Sequence, residues 1–280
     1  MFDASSELTR LVFLVLAGLV LLCGSAADLF LGVLFQSRRL PQPGAACPSL
    51  GQRPFTLAHV AVAVLFSLFF ALPVLFQKPG APTPKESALL LGPLLYALAA
   101  VSVVSLCLAH TRVSFRKAFG LRRGGARDAL AKGALYGIAA VPPVMLLSMA
   151  MGAATKALGY EPQVQEVFDW LSDSTLALST RVFMMVAAVV FAPVAEELIF
   201  RGILFSALLR GRAFAFAALL SSAYFALVHF HAPSFLPLLA LSFAFSAGYA
   251  ATGSILTPIV MHMLFNLTSV LCYLAGPAGA

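Results

Sequence analysis

The sequence predicts an all-α, polytopic integral membrane protein of about eight transmembrane helices. Three observations carry that prediction. Hydrophobic residues make up 61% of the 280 positions and charged residues 10%, with a mean hydropathy of +0.95. A soluble domain has about 25% charged and about 45–50% apolar residues. The apolar residues gather into recurrent stretches near the roughly 20 residues that cross a bilayer core, and most of these stretches contain no charge. Together they exclude a disordered chain, a disulfide scaffold and an ordinary cytosolic enzyme.

Helices are expected at about 11–35, 55–76, 87–110, 133–155, 182–209, 213–230, 234–251 and 254–275. The first follows an acidic segment, MFDASSELTR, and its apolar run exceeds a signal-peptide core, so it reads as a retained span. Pro41, Pro43, Pro48 and Pro54 punctuate the first loop, and QKPGAPTPKES fills the second. A strongly basic loop separates the third span from the fourth. EPQVQEVFDWLSDS (161–174) has apolar residues at helical spacing and reads as an interfacial helix anchored by Phe168 and Trp170. The sixth and seventh helices are short. No internal repeat of the transporter kind is present.

The net charge of +7 is unevenly placed. Of 18 Lys and Arg residues, seven lie between Arg112 and Lys132. Loops 36–54, 111–132 and 210–212 hold 12 basic residues together, whereas Arg10, Lys78, Lys85 and Lys156 are the four on the other side. That bias assigns the three loops to the cytoplasm and both termini to the opposite face. Such a juxtamembrane basic segment suits anionic lipid headgroups. No aromatic residues interleave with it on a soluble face, so no nucleic-acid partner is expected. Cys23, Cys47, Cys107 and Cys272 show neither CxxC spacing nor a disulfide framework.

An ionisable residue in a span costs about 2.5–3.5 kcal/mol on insertion scales and is a functional candidate by default. FAPVAEELIFRGILF (191–205) places Glu196, Glu197 and Arg201 in the fifth span. Adjacent carboxylates point about 100° apart on a helix, so these two must face different partners. Glu197 and Arg201 are spaced i,i+4, acid first, as an intrahelical ion pair prefers. Glu196 is left without a partner on its own helix. YFALVHFH carries Phe225 and His229 on one face of the sixth helix, and MHMLFNLT carries His262 and Asn266 on the eighth. A carboxylate, two imidazoles and an amide then converge in the bilayer. The carboxylate can accept a proton from water, and His and Asn donors can stabilise an oxyanion. Amide hydrolysis by an activated water fits this set.

EELIFR, FALVH and HMLFN resemble the three motifs EExxxR, FxxxH and HxxxN of the CPBP family, which holds the Rce1-like type II CAAX prenyl endopeptidases and bacteriocin-processing and immunity proteins. The resemblance covers about residues 177–275. It implies an intramembrane endopeptidase acting on a membrane-associated or prenylated (CAAX-type) peptide, with its site among the last four helices of a multi-pass protein of a bacterial cell membrane. It also divides the chain into a variable part, 1–132, of N-terminal spans and the basic loop, and a catalytic membrane core, 133–280. Glu196 is implied as general base and His229 as the residue that helps hold water. His262 and Asn266 would form the oxyanion hole, with Glu197, Arg201 and Phe225 supporting. Metalloprotease and glutamate-dependent chemistries are both compatible with it. The HExxH spacing is absent, so no metal is expected; a zinc ion on Glu196, His229 and His262 is the alternative. A non-catalytic scaffold, immunity or regulatory protein is the alternative function.

Other polar residues have plainer explanations. Glu197 and Arg201 could be a purely structural pair. His231 lies away from His229 and beside Pro233, which suits an interface, and His59 and His110 sit at span ends. Asp28, within the first span, pairs with another helix or lies at an early end of that span. Phe119-Gly120-Leu121 in the basic loop resembles a feature found upstream in the same family.

Overall fold

The computed structural model describes residues 4–36, 48–76, 84–121, 125–159, 168, 170–171, 173 and 175–275, with no strand among them. Eight apolar helices follow in order: α1 (Ala4–Gln36), α2 (Leu57–Ala71), α3 (Glu86–Thr111), α4 (Ala126–Ala157), α5 (Leu178–Leu209), α6 (Phe214–Leu227), α7 (Phe235–Thr252) and α8 (Leu256–Ala275). Six are long and apolar enough to cross a membrane. The other two, α2 and α6, have 15 and 14 residues and fall short of the roughly 20 a span needs.

The differences from the expected boundaries have local causes. Helix α4 begins at Ala126, ahead of the predicted 133, because its first turns carry charge at the end of the bundle, where Lys132 pairs with Asp128 at 2.8 Å. Helix α6 stops at Leu227 instead of 230: Val228 and His229 form a turn, and Phe230 takes a left-handed φ of 48°. Asp28 is exposed near the end of the apolar stretch Leu11–Leu31, with no ion-pair partner among the described residues. Most of the interfacial segment 161–174, and the first two loops at 37–47 and 77–83, lie outside the described residues. Of that segment, Leu171 is buried and Phe168 stacks on Tyr273 at 4.8 Å.

Helix α4 is drawn close to its neighbours by small residues. A Cβ on Gly133 would stand 2.9 Å from the Thr257 carbonyl oxygen, and one on Gly137 2.9 Å from the Met261 Cα. This GxxxG spacing lets α8 lie directly on α4. On another side Gly24 of α1 meets the Ile138 carbonyl, which Pro142 cannot bond because it has no N–H.

The described parts of the three basic loops gather at one end of the bundle. Arg53 donates to the Lys117 carbonyl and, at 2.8 Å, to that of Gly253. The Ile255 N–H donates to the Phe119 carbonyl at 3.0 Å. Phe119 is fully buried with its ring over Gly202 of α5, and Gly120 takes φ +70° against the loop that joins α7 to α8. At the opposite end a Glu86 carboxylate oxygen accepts from the Ala177 N–H at 2.8 Å.

A Cβ on Gly120 would lie 1.9 Å from the Gly253 carbonyl oxygen, a backbone atom with no easy retreat. Gly120→Ala is therefore expected to destabilise the protein by about 1–3 kcal/mol, the range for overpacking, and more if the positive φ adds strain. Thermal unfolding in detergent checks this against Gly18→Ala, whose Cβ would meet nothing within 4 Å. That control should stay within about 0.5 kcal/mol of wild type.

Candidate functional site

Helix α5 is irregular where it carries the carboxylates. A regular stretch, Ala192–Glu197, lies between two π-helical segments, Ala187–Phe191 and Leu198–Phe205. Pro193 explains the first. The Ala192 N–H reaches back five residues to the Ala187 carbonyl, and the next such bond, to Ala188, would have to come from Pro193, which has no N–H. The Ala188 carbonyl instead accepts the side-chain amide of Asn266 at 2.8 Å. A widened turn of this kind is a frequent mark of functional sites, and here it ties α8 to α5 beside Glu196.

The two glutamates have different surroundings, as their angular separation requires. Glu197 is fully buried, and its Oε1 accepts from Arg201 at 2.9 Å and from His262 Nδ1 at 2.8 Å. Arg201, 1% exposed, also donates to the carbonyl and hydroxyl oxygens of Ser242 at 2.9 and 2.6 Å. Its guanidinium lies between the rings of Phe225 and Phe245, 4.9 and 5.0 Å from their centroids. A buried charge is costly unless paired and bonded, and this one has every such partner.

Each glutamate keeps its Oε2 buried with no hydrogen-bond partner among the described residues, and that of Glu196 stands 3.8 Å from His262 Nε2. His262 thus lies between the two carboxylates, one nitrogen toward each. His229 sits in the turn just beyond α6 and not, as expected, on the helix itself. It still meets Phe225, with ring centroids 4.6 Å apart, and its Nδ1 donates to the Phe225 carbonyl at 2.6 Å. A carbonyl can only accept, so Nδ1 carries the hydrogen and Nε2 is left with a free lone pair.

Two cavities meet at these residues. One of about 660 Å³ is bounded by α2, α3 and α5, including Phe70, Tyr96 and Phe200. The other, of about 680 Å³, is bounded by α4, α5, α7 and α8, with Phe225, His262 and Asn266 on its wall. Glu196 and His229 line both. The contributions of Ser67, Phe70 and Tyr96 from α2 and α3, and of Ser242 and Phe245 from α7, are not legible in the motifs. Ser242 and Ser246 at i,i+4 in an apolar helix were the one available signal for α7. Nothing comparable marks α2 or α3.

The remaining candidates fall outside this cluster. His59 is buried, not solvated as its place at a span end suggested: its Nδ1 accepts from the Thr56 N–H at 3.1 Å and closes the start of α2. His110 is exposed, its ring 5.9 Å from that of His59. His231 lies 2.7 Å from the Ser234 hydroxyl on the rim of the second cavity. No group of three His, Cys, Asp or Glu side chains that could hold a metal ion occurs among the described residues.

The fold is that of a multi-pass helical membrane protein, and residues 178–268 match the Rce1-like family model, "Type II CAAX prenyl endopeptidase Rce1-like". The match spans all three motifs. Among curated proteins, the chain is 29% identical over 224 residues to the "Putative membrane peptidase YdiL" of Bacillus subtilis, an alignment covering 76% of this chain and 86% of that protein. No solved structure matches.

Removing one partner of a buried ion pair costs about 3–5 kcal/mol, because the other charge stays buried and unpaired. Arg201→Met alone should lose this much, and Glu197→Gln with Arg201→Met less than the sum of the two single changes. A double-mutant cycle on unfolding in detergent tests the coupling.

Proposed function

We propose that this protein is an intramembrane endopeptidase of a bacterial cell membrane, hydrolysing a peptide bond of a membrane-associated, CAAX-type prenylated substrate with a water activated by Glu196 and His229. The observation that carries the reading is the contrast between the carboxylates. Glu197 is held through Oε1 by Arg201 and His262 and lines neither cavity, while Glu196 lines both cavities with His229.

In this mechanism a water bonded to His229 Nε2 gives its proton to Glu196 and adds its oxygen to the scissile carbonyl carbon. The carbonyl π electrons move to oxygen, forming a tetrahedral oxyanion. Asn266 has two amide hydrogens and commits one to Ala188, so the second can reach that oxyanion. His262, bonded to Glu197 through Nδ1, supplies another donor at Nε2 in the protonated form of its ring. Collapse of the intermediate breaks the C–N bond, and Glu196 returns its proton to the leaving amine. No step passes through a metal ion. The substrate chain would lie in the cavity that holds Asn266 and His262. Its apolar substituent suits the neighbouring cavity, whose wall includes Phe70, Tyr96 and Phe200.

The test is cleavage of prenylated CAAX peptides and membrane-segment peptides by protein reconstituted in lipid, read by mass spectrometry. Glu196→Gln and His229→Ala should abolish cleavage while leaving the unfolding temperature near wild type. Asn266→Ala should slow it about 10²–10³-fold, as loss of an oxyanion donor does elsewhere. A chelator should have no effect. Inhibition by chelator with restoration by zinc would return the metalloprotease reading. Wild-type turnover in Glu196→Gln would discard the assigned base, and a biological role that survives it would favour a non-catalytic scaffold.

A further inference from the structure

A cavity of about 1170 Å³ lies at the end of the bundle where the basic loops gather and shares no lining residue with either cavity at Glu196. Arg53, Arg116, Lys117 and Arg210 line it, with Asp128 as its one carboxylate. That carboxylate is already paired with Lys132. No described anionic group is left to balance the four cations. Charges of one sign converging on a concave surface focus the field there and raise the local concentration of the opposite charge.

The wall is fixed in shape. Arg53 is tied to the carbonyls of Lys117 and Gly253, and its Nε is buried with no hydrogen-bond partner. Gly120 and Gly253, both at positive φ, allow the two loops to touch. Gly125 brings the start of the 32-residue helix α4 to the rim, with no side chain capping its first turn. A helix N-terminus offers free N–H groups and partial positive charge to an anion. Four cations, a rigid frame and an uncapped helix start select a compact, multiply oxygenated anion.

We propose that this cavity is a binding site for a phosphate group, remote from the peptidase site. The site lies among the chain segments at the ends of the apolar helices, where the phosphate of an anionic phospholipid would be within reach. A free phosphate anion has the same chemistry, and the two sources are separable.

Protein would be purified in nanodiscs of phosphatidylcholine alone or with phosphatidylglycerol, and bound lipid counted by native mass spectrometry. Inorganic phosphate would be titrated separately, with thermal unfolding as the readout. The probe variant is Lys117→Gln with Arg210→Gln; neither side chain has a hydrogen-bond partner among the described residues or a place in the peptidase site. One phosphatidylglycerol retained per protein, with affinity reduced about tenfold or more in the variant, supports a lipid headgroup; loss of charge-assisted bonds accounts for that size. Saturable stabilisation by inorganic phosphate, lost in the variant and competing with the lipid, supports a soluble anion. Peptide cleavage by the variant in neutral lipid should equal that of wild type. Equal binding by variant and wild type, or binding of neither probe, would overturn the proposal.

Discussion

The buried Glu197–Arg201 pair is the constraint on which the arrangement of the site depends. A guanidinium that is 1% exposed must be satisfied within the protein, and its partners come from three helices: Glu197 on α5, Ser242 on α7 and the Phe225 ring on α6. His262 brings in α8 through the same carboxylate oxygen. The pair therefore fixes the relative positions of the last four helices. Its net contribution to stability is small or even negative, since desolvating two charges offsets much of their attraction. What it supplies is a set of bonds that ties the last four helices together at one point.

Pro193 supplies the second constraint. By withholding an N–H it leaves the Ala188 carbonyl for Asn266, so an irregularity in α5 becomes a bond to α8. The proline lies three residues before Glu196, and the carboxylate stands between the two π-helical segments. Residues conspicuous as a motif are thus held by residues that are not. Gly202 acts similarly: it admits the Phe119 ring and joins the basic loop to the helix that carries both glutamates.

Much of this was legible in the sequence, for physical reasons. Charge is so costly in an apolar span that Glu196, Glu197 and Arg201 stood out, and helical geometry alone separated the carboxylates and paired one of them with the arginine. Helix existence was equally plain, because it rests on apolar length. The limits of helices were harder. The start of α4 is hidden by charges that pair at the bundle end, and the end of α6 by a left-handed residue that no periodicity reports. His229 keeps its place beside Phe225 although it has left the helix, because its Nδ1–H bonds the Phe225 carbonyl. The contributions of Ser67, Phe70 and Tyr96 were invisible: ordinary apolar-helix residues acquire meaning only when α2 and α3 are set against α5.

The imidazole of His262 connects the two carboxylates and gives a reason for having both. With Glu196 alone, a histidine 3.8 Å away would pair with that carboxylate once protonated. Glu197 changes that balance. It engages Nδ1 at 2.8 Å, so the positive charge of a protonated ring is offset away from the reacting side. Arg201 is bonded to the same oxygen, and Glu197 lines neither cavity. One carboxylate is thereby held by its neighbours and the other faces the two cavities. Two identical side chains separated by a single peptide bond acquire different chemistry solely through the direction in which the helix points them.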